Sequence, residues 1–203
     1  MTTDDMDALR SLLTDLTPEE LYSLENDDLT WLPQLRNLPQ HTVLGVIFGA
    51  VQNVEPLEYR LWCIAFLRCQ LMPLKRVKQW QIYRFDKAPT WNVCLQLVER
   101  KPTEIQLTGY DAMIAWSVHC SKLHGCLLIH DLQYPSMGRI PVYVVLWPGQ
   151  PLLAVHSQEC GIQLHVTLAV SAALHCGFME LPGLISDDLN SAYRAAVDLI
   201  GSA

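Results

Sequence analysis

The chain has 203 residues, half of them apolar and 17% charged, with a formal net charge of −7. This composition predicts a folded protein with a large core, and the negative charge argues against a protein that binds mainly nucleic acid. The seven cysteines are odd in number and form no CxxC motif, which argues against a disulfide framework and predicts reduced thiols in the cytosol or nucleus. No apolar stretch reaches the ~18–20 residues of a membrane span, and the acidic first residues do not resemble a secretion signal.

Charge is unevenly distributed along the chain. Residues 1–52 carry nine acidic and two basic side chains, whereas residues 53–88 carry seven basic and three acidic ones. A local basic segment inside an acidic chain is a feature that can guide a contact with a partner.

The N-terminal part is predicted to be helical. Leucines at helical spacing indicate a first helix up to Leu16, and Thr17-Pro18-Glu19-Glu20 is a strong helix-start signal. An apolar segment over residues 40–53 predicts a central buried helix, and another helix is expected from about Pro56 to Met72. Residues 75–85 alternate basic and apolar side chains, which favours a last helix with a basic face.

The pattern changes near Ala88-Pro89. Residues 91–100 are predicted to be helical, and strands are expected at 104–107, 113–120 and 127–130. Residues 142–147 form the clearest strand, and Pro148-Gly149-Gln150-Pro151 turns it into 152–155 as an antiparallel hairpin. Helices are predicted over 162–175 and from Ser186 to about Ile200. The chain is therefore predicted to have an α+β fold, with a helical N-terminal domain and a mixed C-terminal domain.

Few side chains indicate chemistry. His119, Cys120, His124, Cys126 and His130 are the most metal-like group, but their spacing crosses predicted strands and matches no established zinc motif. A core or surface role for these side chains is the alternative. His130-Asp131 with Ser136 has the residue types of a hydrolytic set, yet no GxSxG elbow is present. No nucleotide-binding glycine motif occurs. The sequence thus favours a binding protein without a cofactor over an enzyme.

The basic segment around Trp80 and Tyr83 has two interpretations. One is contact with phosphate or with an acidic partner, and the other is a solvated helix face. Trp31 and Trp147 have two interpretations as well, as anchors in an interface or as core residues.

The order of several segments resembles the centromere protein N family, whose members are subunits of the inner kinetochore. The resemblance rests on Leu12–Leu21, Trp80–Lys87, Ala115–Val118, Pro141–Val145 and Leu184–Val197, which are hydrophobic patterns rather than chemical signatures. It implies a pyrin-like or death-fold-like all-helical domain at 1–73, a helical linker region at 74–101, and an α/β partner-binding domain at 102–203 with an antiparallel sheet and flanking helices.

The resemblance also implies a function in chromosome segregation. The chain would be a non-catalytic subunit at the centromere in the nucleus. Its C-terminal sheet would form a heterodimer with a centromere protein L-like chain, and its N-terminal half would contact the centromeric nucleosome and DNA. Other inner-kinetochore subunits would be further partners, and neither a membrane nor a small-molecule substrate is implied.

The residues of the implied nucleosome contact match the family only in part. Asp7 and Arg10 fall at matching positions of the first helix. Ser11 and Asp15 stand where the family has bases, and Thr3 stands where it has an acid. The DNA-facing role then either shifts to the basic segment or is lost; the basic candidates are Lys75, Arg76, Lys78 and Arg84.

The implied partner surface is the C-terminal hairpin. An edge strand offers unpaired backbone groups that a partner sheet can complete. The expected contact residues are Val142, Tyr143, Val144, Val145, Leu146, Trp147, Leu152 and Leu153.

Two other functions remain open at the level of sequence. The first is a death-fold-like cytosolic adaptor that uses its acidic N-terminal face to bind a basic partner domain, without a role in chromatin. The second is a metal-dependent enzyme that uses the histidines and cysteines of residues 119–126.

Overall fold

A computed structural model describes residues 3–25, 29–73, 79–99, 105, 107–134, 138–159 and 161–201. Helices and strands follow one another as α1 (Thr3–Thr14), α2 (Pro18–Tyr22), α3 (Gln40–Gln52), α4 (Leu57–Leu71), β1 (Trp80–Phe85), α5 (Trp91–Glu99), β2 (Tyr110–His119), β3 (Lys122–Asp131), β4 (Ile140–Leu146), β5 (Leu152–His156), α6 (Ile162–Ala173), β6 (Phe178–Ser186) and α7 (Leu189–Gly201).

The strands form one antiparallel sheet in the order β2-β3-β4-β5-β1-β6. Strands β2 to β5 are consecutive neighbours, and tight turns join β2 to β3 and β4 to β5. Strand β1 comes earlier in the chain but lies between β5 and β6. The N-terminal part of the chain therefore supplies an interior strand of the sheet.

Helices cover both faces of the sheet. The face that carries Trp80, Ile82 and Tyr143 packs with α1 to α4 and with α7 in one buried cluster. The opposite face, which carries Tyr83 and Val144, packs with α5 and α6 in a second cluster. Burial of apolar side chains on both faces makes this a three-layer arrangement.

The predicted division into an all-helical pyrin-like or death-fold-like domain followed by a mixed α/β domain is wrong. Helix α4 packs directly on β2 and β3, and its Leu67 belongs to the same core cluster as Trp80 and Ala154 of the sheet. Nine of the 15 residues of α4 are buried, so this helix must pack against other elements over most of its surface. The sheet supplies that cover, and the boundary expected at residue 73 therefore does not separate two cores. The adaptor hypothesis loses the separate domain that it required.

The predicted helix over residues 75–85 is also wrong where the structure describes it, because Trp80–Phe85 is strand β1. Five of these six residues are buried, since β1 has strands on both sides and helices on both faces. An interior strand of this kind lacks the polar alternation that distinguishes a strand in sequence. The predicted hairpin is confirmed as β4 and β5, and the predicted helices α5, α6 and α7 are observed.

Candidate partner-binding surface

The hairpin that was predicted to offer a free edge lies inside the sheet. Strand β4 pairs with β3 and β5, and β5 pairs with β4 and β1. The premise of a free edge is therefore wrong, because β1 occupies the place beside β5. All the predicted contact residues are buried, namely Val142, Tyr143, Val144, Val145, Leu146, Trp147, Leu152 and Leu153.

Two of these side chains contact other parts of the same chain. The Arg68 guanidinium of α4 lies close to Tyr143, whose pKa burial raises to about 12. The Trp147 ring stacks on Tyr193 of α7 at 5.0 Å between centroids, with the Lys122 ammonium 5.9 Å from the Trp147 ring. These contacts hold α4 and α7 on the sheet.

The two outer strands of the sheet are β2 and β6, and helix α4 packs against β2 on one face of the sheet. Residues Met113 to Ser117 are each 7% exposed or less. The Cys69 thiol of α4 lies 3.3 Å from the Ser117 hydroxyl and donates a hydrogen bond to the His124 carbonyl at 3.1 Å. Both ends of β2 reach solvent, at Asp111 and at Val118 and His119.

Strand β6 is the open edge. Met179 and Ile185 are 60% and 62% exposed, on a strand that has a hydrogen-bonded neighbour on one side only among the described strands. Exposed apolar side chains on an outer strand mark either a partner site or an aggregation hazard. The register between β1 and β6 shifts between Gln81 and Tyr83, so the ladder consists of two short segments. A bulge of this kind limits indiscriminate pairing between edges.

A shallow cavity of about 320 Å³ lies beside this edge, at the end where β6 begins. It is lined by Arg84, Phe85, Asp86, Gly177, Phe178 and Met179. Arg84 is half-buried and pairs with Met179 across the two strands. The structure thus places the predicted DNA-contact residue Arg84 next to the open edge rather than on a basic helix.

Of the other predicted chromatin contacts, two lie on helix α1 and three lie outside the described residues. Asp7 and Arg10 are exposed on α1, and the Arg10 guanidinium lies 4.9 Å from the centre of the Phe48 ring on α3. Lys75, Arg76 and Lys78 lie outside the described residues.

The histidine and cysteine cluster divides between the core and the surface. His119 and Cys120 are exposed near the turn of the β2–β3 hairpin, whereas His124 and Cys126 are buried. Among the residues that the structure describes, neither ring nitrogen of His124 has a hydrogen-bond partner, and burial is the main cause that lowers its pKa to about 4. Within the part of the chain that the structure describes, no group of three or more His, Cys, Asp or Glu side chains could hold a metal ion. Of the hydrolytic set, Ser136 lies outside the described residues.

The sequence reasoning missed the open edge because residues 178–186 read as a loop between two helices. Their apolar side chains do not alternate with polar ones, and Pro182-Gly183 interrupts the segment. The sequence feature that could have predicted a strand here is the two apolar pairs on either side of this dipeptide, Phe178-Met179 and Leu184-Ile185.

No described helix is long and apolar enough to cross a membrane. No established protein-family model matches the sequence, and no curated protein matches it.

Proposed function

We propose that the chain is a non-catalytic subunit of an inner-kinetochore assembly in the nucleus. It binds a centromere protein L-like chain through its C-terminal sheet and contacts centromeric chromatin through its N-terminal half. The observation that carries the first part is the open edge at β6, where Met179 and Ile185 are exposed. An outer strand with free backbone groups is a common site for adding the strand of a partner.

The arrangement of the segments that resemble the centromere protein N family supports this proposal. Trp80–Phe85, Ala115–Val118 and Pro141–Val145 belong to β1, β2 and β4 of the same sheet. Helices α6 and α7 follow in the expected order and pack on opposite faces of that sheet. Segments that are far apart in sequence thus meet in one structural unit, as a shared fold requires.

Helix α1 supports the chromatin part of the proposal. Asp7 and Arg10 are exposed and three residues apart, so their side chains lie on one face of the helix. Two opposite charges on one helical face suit a surface that presents both histone side chains and DNA phosphates.

Co-expression with a centromere protein L-like chain tests the partner. We expect the two chains to elute from size exclusion as a single peak with both chains in equal amounts. Two separate peaks at micromolar concentration would contradict the proposal.

Binding to reconstituted nucleosomes at two salt concentrations tests the chromatin contact. We expect Arg10→Glu to weaken binding and to reduce its salt dependence, because an Arg that neutralises a phosphate releases a counterion. Arg36→Glu is the matched control, since Arg36 is exposed outside α1. Equal nucleosome affinity of wild type and Arg10→Glu would exclude this part of the proposal.

A further inference from the structure

We infer that two copies of this chain form a symmetric dimer through the outer face of helix α6, with Leu168 on the two-fold axis. The outer face of α6 consists of exposed residues of the helix and of its two flanks, namely Gly161, Leu164, His165, Leu168, Ala172 and His175. The dimer is a property of the chain alone, so it does not rest on the kinetochore function proposed above.

Helix α6 is apolar on its outer side as well as on its buried side. The buried side packs on the sheet through Ile162, Val166 and Val170. Leu164 and Leu168 lie about half a turn away from them around the helix axis, and both are exposed. A helix that is apolar all round is normally covered all round, and no described element covers the outer side of α6. The outer face therefore has the character of an interface.

Helix α6 contains no Asp, Glu, Lys or Arg, since its sequence is IQLHVTLAVSAA. The chain as a whole has a net charge of −7, so two copies repel each other on average. An uncharged face is the place where two such chains can meet without bringing like charges together. The same face offers no complementary charge to a nucleic acid or to a charged protein, and an interfacial membrane helix would carry Lys or Arg on its polar side.

The order of large and small residues along the outer face of α6 identifies a second copy as the occupant. In an antiparallel pair with a two-fold axis at Leu168, each position meets the position equally far from Leu168 on the other copy. Leu164 then meets Ala172, and Gly161 meets His175. A large side chain faces a small one in both cases, so the two helices can approach without a void or a clash.

Helix α5 adds apolar surface on the same side of the sheet. It packs in the same buried cluster as α6, and its exposed residues Trp91, Leu95 and Val98 repeat at helical spacing. The 12 residues of α6 span only about 18 Å, so α6 alone forms less than the ~800 Å² per partner of a standard interface. We therefore expect a weak dimer whose population depends on concentration.

Sedimentation velocity of the chain alone, in reducing buffer and from low micromolar to several hundred micromolar, measures this dimer. We expect the sedimentation coefficient of the wild type to rise with concentration toward that of a dimer. Leu168→Glu should weaken the dimer about a hundredfold or more, because two glutamates would face each other in an apolar contact. Leu199→Glu is the matched control and should dimerise like the wild type. Leu199 and Leu168 are 50% and 49% exposed, but α7 packs on the opposite face of the sheet.

Exchange of the large and the small residue tests the two-fold register. Leu164→Ala leaves a void opposite Ala172, whereas Ala172→Leu places two leucines against each other. We expect each single variant to dimerise about tenfold more weakly. The double variant Leu164→Ala/Ala172→Leu restores the pairing in reverse, and its affinity should return to within about threefold of the wild type. Thermal melting of each variant shows whether the fold is intact.

Loss of the dimer in Leu168→Glu together with rescue in the double variant is the expected result. A wild type that stays monomeric throughout, or a dimer that Leu168→Glu leaves intact, overturns the inference without touching the proposed function. Additive losses in the double variant overturn the two-fold arrangement around Leu168. If the wild type is monomeric and Leu168→Glu abolishes its complex with the centromere protein L-like chain, the outer face belongs to that partner, and a dimer of this chain is again overturned.

Discussion

His124 makes stability depend on pH in a way that the structure specifies. His124 lies on β3 and is 3% exposed, and among the described residues neither of its ring nitrogens has a hydrogen-bond partner. Burial, with smaller contributions from the charges of His119 and Lys122, lowers the pKa from 6.5 to about 4. The unfolded chain therefore binds this proton at a higher pH than the folded chain does.

The sign and the size of the effect follow from linkage. Protonation favours the unfolded state between pH 6.5 and pH 4, so the stability is fully present above this range and falls as the pH decreases through it. At 1.36 kcal/mol for each pH unit, the free energy of unfolding decreases by about 3 kcal/mol between pH 7 and pH 4. Replacing His124 by leucine removes this proton-binding site and retains an apolar side chain in the core.

Urea unfolding at pH 4, 5, 6 and 7, followed by tryptophan fluorescence in reducing buffer, measures the effect. We expect His124→Leu to lose about 3 kcal/mol of the pH dependence of the wild type. His41→Leu, at an exposed position on α3, is the control and should retain the wild-type dependence. If His124→Leu and wild type lose stability in parallel from pH 7 to pH 4, the burial of His124 as described here is refuted.

Three further predictions test the packing, the capping and the thiols. Gly125→Ala should lower the free energy of unfolding by about 1–3 kcal/mol in a denaturant titration, because its Cβ would lie 2.5 Å from the Trp116 ring; Gly45→Ala on α3, with open space around its Cβ, should not destabilise. Thr17→Ala should cost about 1 kcal/mol in the same titration, since the Thr17 hydroxyl and the Glu20 carboxylate cap each other's backbone N–H groups at the start of α2. The Cys69 thiol should stay unlabelled by a disulfide reagent at pH 8 in the folded chain, because burial raises its pKa to about 12; labelling of Cys69 at the rate of the exposed Cys120 would contradict this.

Local signals in the sequence were sufficient to predict several helices and strands. The strand 142–147, the turn around Gly149 and the returning strand lie within 15 residues of each other, and turn chemistry defines such a hairpin without help from the rest of the fold. Helix α7 likewise carries its start signal in Ser186 to Asp188, but the expected cap Ser186 ends β6, and the Asp188 carboxylate accepts the Ser191 N–H at the start of the helix.

Local sequence signals could not predict the position of a strand within the sheet. Whether β4 is an edge depends on where β1 inserts, and β1 pairs with β5 across about 70 residues of chain. Composition describes how buried a strand is but not which neighbours it has. The same limit applies to α4, whose apolar surface was compatible with a helical bundle and instead packs on the sheet.

The free edge of the sheet was predicted at the wrong strand. A C-terminal sheet with a free edge was expected, yet the edge is β6 instead of the hairpin. The bulge at Pro182-Gly183 concealed this strand, because a short interrupted ladder has almost no periodicity of its own.

Amide hydrogen exchange of the chain, alone and bound to the centromere protein L-like partner, tests the central claim most directly. In the free chain, the amides of Phe178 and Ile185 should exchange faster than those of Met179 and Ser186, which face β1. Binding should protect Phe178 and Ile185 and leave Val118 unchanged. Protection that appears elsewhere, while Phe178 and Ile185 continue to exchange as in the free chain, would contradict the assignment of β6 as the partner-binding edge.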